Sequence, residues 1–111
     1  MVIGAQAMSI KGMLREELEN SLEMQKNYER ELAKLPKGSL VRRMIKGRAY
    51  YYLVFREAGQ FQSIYRGKVS ADEIEKYRHA KEFRAKYRHL LSRVKKEVRF
   101  MRSALRGKEL V

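Results

Sequence analysis

Residues 36–68, PKGSLVRRMIKGRAYYYLVFREAGQFQSIYRGK, decide the fold of this chain. The residue types in this stretch alternate with a period near two, which is typical of β-strands. Glycine interrupts the alternation within Lys46-Gly47-Arg48 and within Ala58-Gly59-Gln60, where tight hairpins need a positive backbone φ. Residues 49–57, between these turns, are dense in aromatic and apolar side chains, as expected of a central strand. We therefore predict a three-stranded antiparallel β-meander over residues 39–66.

Helical sequences flank the predicted sheet on both sides. Residues 9–35 are rich in Glu, Leu, Lys, Met and Gln, with Ser9 as the N-cap and Pro36 disfavouring helix in the residue before it. A second helix is predicted over residues 71–106. Ser70 and Glu73 form a capping box at its start, in which each side chain would bind the other residue's amide, and Gly107 ends it.

Each predicted helix has a stripe of residues at alternating spacings of three and four. In the first helix the stripe is Leu14, Leu18, Ser21, Gln25, Tyr28, Leu32 and Leu35; in the second it is Tyr77, Ala80, Arg84, Tyr87, Leu91, Val94, Val98, Met101 and Leu105. These stripes predict an α+β fold, an antiparallel helical pair with the sheet at its tip, forming a single domain over residues 1–111. The second helix is longer by about two turns. We expect its surplus residues, around Val98, Met101 and Leu105, to lack a partner within the chain and to form a homodimer.

The charge balance indicates an anionic partner. The 111 residues have a formal net charge of +13, and residues 36–68 contain eight Lys/Arg against one acid, Glu57. A field of this sign favours nucleic acid or an acidic protein. No window is apolar enough to span a membrane, and there is no cysteine for a disulfide or a thiolate site, so we expect a cytoplasmic protein without a membrane partner.

Cationic and aromatic side chains together on a small sheet favour nucleic-acid binding, with duplex DNA preferred and RNA left open. Alternation places Tyr50 and Tyr52 on the face opposite Tyr51, with Tyr51 on the core side. The candidate binding residues are Arg42, Arg43, Lys46, Arg48, Tyr50, Tyr52, Arg56, Arg66 and Lys68. The twelve Lys/Arg and five acids of residues 71–106 would add contacts to phosphates.

Other interpretations remain open at this level. Lysine and arginine also occur on solvated sheet faces, where they prevent pairing between sheet edges. All three tyrosines could serve packing alone. The chain could instead be a protein-interaction module, the basic partner of an acidic protein that docks on the helical stripes.

The sequence contains no pattern typical of a catalytic or metal site. His79 and His89 are ten residues apart on one predicted helix, which is not a spacing that metal ligands use, and no nucleophile–base pattern or phosphate-binding loop occurs. We expect a non-enzymatic protein without a cofactor.

Residues 35–67 resemble small prokaryotic proteins of unassigned function whose motif is LPKGSL, then KGxxYYYL, REGG and YxG. Here the motif reads LPKGSLVRRMIKGRAYYYL, REAGQ and YRG. The succession of three strands and a helix is also similar, more loosely, to the arm-type DNA-binding domains of tyrosine recombinases. In that family the sheet enters the major groove, so this resemblance implies that Arg42, Arg43, Arg56 and Arg66 lie near DNA.

Overall fold

The computed structural model describes residues 9–107 and confirms the α+β class. Helix α1 covers Ile10–Lys34 and helix α2 covers Ala71–Arg106. Between them in the chain, strands β1 (Ser39–Ile45), β2 (Arg48–Glu57) and β3 (Gln60–Gly67) form one antiparallel sheet in the order β1-β2-β3. The predicted bounds of both helices and of the sheet are each within one residue of those in the structure.

The described residues form two compact units. The helical unit combines the residues up to Ala33 with those from Tyr87 onward, and the sheet unit is Lys34–Lys86. Helix α2, which is 36 residues long, contributes its first turns to the sheet unit and its last turns to the helical unit.

The helical unit is an antiparallel helical pair, as predicted. Leu14 and Glu17 of α1 share a groove with Phe100 of α2, whereas Tyr28, further along α1, lies 6.0 Å from the Tyr87 ring, centroid to centroid. Ser21, a polar member of the predicted stripe, is the most deeply buried residue of α1. A small side chain at this position permits close packing of the two helices. The buried apolar residues that the structure describes in this unit are Val94, Val98 and Met101 of α2.

The prediction that Val98 and Met101 lack an intrachain partner is wrong. Both side chains are at most 5% exposed within the chain. The length by which α2 exceeds α1 lies at the N-terminal end of α2, because the first turns of α2 belong to the sheet unit and not to the helical pair.

Serine side chains cap the N-termini of both helices by accepting hydrogen bonds from backbone amides in the first turn. The Gly12 amide donates to the Ser9 hydroxyl over 2.9 Å, and the Glu73 amide donates to the Ser70 hydroxyl over 3.1 Å. The Glu73 carboxylate accepts a hydrogen bond from the Arg66 guanidinium, a partner that the capping box did not anticipate. This ion pair joins the end of β3 to the start of α2.

Arg84, the charged residue in the α2 stripe, has a structural partner. Its half-buried guanidinium donates to the Pro36 carbonyl oxygen over 2.6 Å. Since Pro36 lies in the connection between α1 and β1, this charge-assisted hydrogen bond attaches that connection to α2.

Both hairpins have two-residue turns in which both residues have positive φ, the arrangement of type I′ turns. The φ angles are 51° at Lys46 and 77° at Gly47 in the first turn, and 51° at Ala58 and 79° at Gly59 in the second. Alanine in this left-handed region is strained by about 1–2 kcal/mol because its Cβ approaches the following carbonyl oxygen.

We expect Ala58→Asn to raise the free energy of unfolding by about 1 kcal/mol, since asparagine tolerates the left-handed region. Ala58→Val should lower it, since a β-branched side chain is disfavoured there. Urea denaturation followed by circular dichroism measures both variants. Equal effects of the two substitutions would contradict the turn assignment.

Candidate nucleic-acid interface

The strand register divides the sheet into two faces, because residues directly opposite each other on antiparallel strands point to the same side. Tyr52 lies opposite Val41 on β1 and Tyr65 on β3, and Arg56 lies opposite Phe61. We call this side the arginine–tyrosine face; it comprises Ser39, Val41, Arg43, Ile45, Arg48, Tyr50, Tyr52, Val54, Arg56, Phe61, Ser63 and Tyr65.

The other side of the sheet, the helix face, packs on the first turns of α2. Its members are Leu40, Arg42, Met44, Ala49, Tyr51, Leu53, Phe55, Glu57, Gln60, Gln62 and Ile64. Leu40, Arg42 and Tyr51 line a groove together with Ile74, Tyr77, Arg78 and Lys81 of α2. Tyr51 is therefore on the core side, as predicted from alternation along β2.

Three tyrosines cluster at the centre of the arginine–tyrosine face. The Tyr65 ring lies 5.2 Å from the Tyr52 ring and 6.3 Å from the Tyr50 ring, centroid to centroid, in tilted arrangements. Tyr65 is 56% exposed, whereas Tyr50 and Tyr52 are half-buried. The cluster thus combines mutual packing with a ring surface that is accessible to a ligand.

Arginine side chains lie over aromatic rings of the same face. The Arg43 guanidinium is 5.6 Å from the centroid of the Tyr52 ring, and the Arg56 guanidinium is 4.8 Å from that of the Phe61 ring. Cation–π contacts at exposed sites contribute about 0.5–1 kcal/mol and orient a guanidinium without neutralising it. Both groups therefore retain their full charge.

No acid belongs to the arginine–tyrosine face, and none among residues 9–107 forms an ion pair with Arg43, Arg48 or Arg56. Three guanidinium groups without a carboxylate partner create a positive potential across one surface.

The other predicted binding residues lie elsewhere. Arg42 points to the helix face, where its guanidinium lies 3.5 Å from the Met44 sulfur. Arg66 is the extra residue of a β-bulge, since Tyr51 pairs with Gly67 and Tyr52 with Tyr65, and it is bound to Glu73. Lys46 is in the first turn and Lys68 follows β3; both are exposed.

Two members of the face, Phe61 and Tyr65, were not among the predicted binding residues. Counting back across the two-residue Ala58-Gly59 turn would have placed Phe61 opposite Arg56. The same count would have placed Tyr65 opposite Tyr52. The bulge that follows at Arg66 has no signal in the sequence.

Across residues 9–107, no group of three or more His, Asp or Glu side chains could hold a metal ion. No helix in the same part of the chain is both long and apolar enough to cross a membrane.

The fold and this face define a small α+β protein whose sheet, flanked in the chain by two helices, has one basic and aromatic surface. The chain belongs to a family described as a domain of unknown function, DUF6788, whose model matches residues 14–76, from the first turns of α1 through the whole sheet to the start of α2. No curated protein and no solved structure matches the chain.

Proposed function

We propose that this protein binds duplex DNA through the arginine–tyrosine face and acts without catalysis, as an accessory or regulatory protein of phage or mobile-element type. The observation that carries the proposal is a face without an acid that has three arginines, none of them ion-paired within residues 9–107, and a tyrosine cluster whose Tyr65 ring is exposed. The face can place guanidinium groups on phosphates or on guanine edges in a major groove, as sheet readers do.

The remaining positive charge supports this proposal. The twelve Lys/Arg side chains of α2 outnumber its five acids, so this helix can add phosphate contacts that carry no sequence information. The loose similarity to recombinase arm domains, which also bind DNA through a sheet, agrees with this mode but remains a prediction.

Fluorescence-anisotropy titration against labelled duplex DNA, single-stranded DNA and RNA at several salt concentrations tests the proposal. We expect tighter binding to the duplex than to single-stranded DNA or RNA. The logarithm of the affinity should fall linearly with the logarithm of the salt concentration, with a slope of about −0.9 for each phosphate contacted. Equal binding to every nucleic acid, with full displacement by heparin, would contradict it.

The alternative of a protein partner docked on the helical stripes has less support. Val94, Val98 and Met101 are already buried inside the helical unit. A partner would need a different surface.

Homodimerisation is also part of the proposal, with the exposed Phe100 side chain, which lies outside the predicted stripes, at the contact. A groove of about 540 Å³ in the helical unit is lined by Leu14, Glu17, Lys96, Glu97, Phe100 and Met101, and the Phe100 side chain is 68% exposed. Ile10 and Met13, at the start of α1, are also more than half exposed. An exposed apolar patch edged by both signs of charge suits a second copy, because a two-fold axis can pair Lys96 of one copy with an acid of the other.

Phe100→Ser should convert a dimer to a monomer in analytical ultracentrifugation across a range of concentrations. Met44→Ser is the matched control, because it removes another exposed large apolar side chain, 57% exposed, from the sheet unit. A wild-type protein that stays monomeric, or a Phe100→Ser protein that stays dimeric, would rule out this surface.

A further inference from the structure

The groove between the helix face of the sheet and the first turns of α2 has features of a small-molecule site. Its volume is about 400 Å³, within the range of roughly 300–1,000 Å³ that ligand sites have. Leu40, Tyr51, Ile74 and Tyr77 supply apolar and aromatic walls, Ser39 borders one end, and Arg42, Arg78 and Lys81 add positive charge.

The three cations of this groove differ in what they already bind. Arg78 donates to Glu75 and, over 2.8 Å, to Glu82. The hydrogen bond from Arg78 lowers the pKa of Glu75 below its ordinary value, as expected of a formed ion pair. Arg78 is therefore largely neutralised by its own helix.

Arg42 and Lys81, in contrast, have no acidic partner among residues 9–107. One comes from β1 and the other from α2, so the groove presents two unneutralised positive charges from different elements beside two tyrosine rings. Two cations match a dianionic group better than a monoanionic carboxylate, and the tyrosine and aliphatic walls match a flat ring.

We propose that this groove binds a nucleoside monophosphate, with the phosphate on Arg42 and Lys81 and the base against Tyr51 and Tyr77. The site is separate from the arginine–tyrosine face, because Arg42 and its neighbour Arg43 point to opposite sides of β1. The inference does not depend on nucleic-acid binding by that face.

Isothermal titration calorimetry with adenosine monophosphate tests the site, with adenosine and inorganic phosphate as the two partial ligands. We expect one-to-one binding of the monophosphate with a dissociation constant on the order of 100 µM, and at least about tenfold weaker binding of each partial ligand. Arg42→Ala and Lys81→Ala should each weaken binding about tenfold, as expected when one charge-assisted hydrogen bond to the phosphate is removed.

Arg43→Ala is the matched control, since it removes the same charge from the adjacent residue on the other face. Its affinity for the monophosphate should equal that of the wild type. Circular dichroism establishes that each variant is folded, which is expected because Arg42, Arg43 and Lys81 are all exposed. Absence of saturable binding up to about 2 mM, or binding that Arg43→Ala weakens and Arg42→Ala does not, would overturn the proposal.

Discussion

Replacing Arg43, Arg48 and Arg56 together by alanine should weaken binding to duplex DNA by a factor of about 100–1,000. Each side chain is a cation on the arginine–tyrosine face without a carboxylate partner among the described residues, so each is available to a phosphate or a base edge. Replacing a cation that neutralises one phosphate also reduces the slope of log affinity against log salt by about one. The triple variant should therefore have a salt slope that is smaller by about three.

The control must remove the same charge from another part of the chain. Lys11, Arg15 and Lys26 are exposed on α1, and their joint replacement by alanine removes three positive charges without changing the sheet. Its affinity should fall only a few-fold, through the weaker long-range field. If both triple variants bound DNA equally weakly, binding would depend on net charge and not on this face.

Gly38→Ala should destabilise the sheet unit by about 3 kcal/mol, the largest stability effect that we expect of a single substitution here. Gly38 has a φ of +89°, which alanine adopts only with strain. A Cβ at this position would also lie 2.7 Å from the Val54 carbonyl oxygen and 3.1 Å from Cβ of Phe55. Backbone at that distance cannot move aside without disturbing β2.

Gly59→Ala distinguishes the two causes of this destabilisation, backbone strain at a positive φ and steric overlap of the new Cβ with β2. Gly59 has a similar φ of +79°, but no atom lies within 4 Å of a Cβ built there. That variant should be destabilised only by backbone strain, about 1–2 kcal/mol. Urea denaturation followed by circular dichroism compares the two, and equal destabilisation would mean that Gly38 does not approach β2 as closely as the structure shows.

Local sequence patterns predicted the elements of this fold well because each one depends on short-range physics. Period-two alternation and glycine turns determine the meander, and the three-four stripes determine which side of each helix is buried. Even Ser21, a polar member of the α1 stripe, is buried. The alignment of the two helices depends on how many turns of α2 belong to the sheet unit, a number that no local pattern indicates. For this reason Val98 and Met101 were predicted to lack a partner within the chain, although both are buried.

The candidate site was only partly predictable, because β1 has arginine on both faces. Leu40, Arg42 and Met44 alternate with Val41, Arg43 and Ile45, so hydrophobicity does not distinguish the side that packs on α2. The strand register and the groove with α2 resolve this question by placing Arg42 beside Tyr51. Interactions across long sequence separations, such as Arg84 to Pro36, have no local signature.

A comparison of Arg42→Ala with Arg43→Ala in duplex-DNA binding tests the central claim most directly. The two substitutions remove identical side chains from adjacent residues and differ only in the face of the sheet that they alter. We predict that Arg43→Ala weakens binding about tenfold at a fixed salt concentration, whereas Arg42→Ala stays within about twofold of the wild type. An equal or greater reduction of affinity in Arg42→Ala would contradict the assignment of DNA binding to the arginine–tyrosine face.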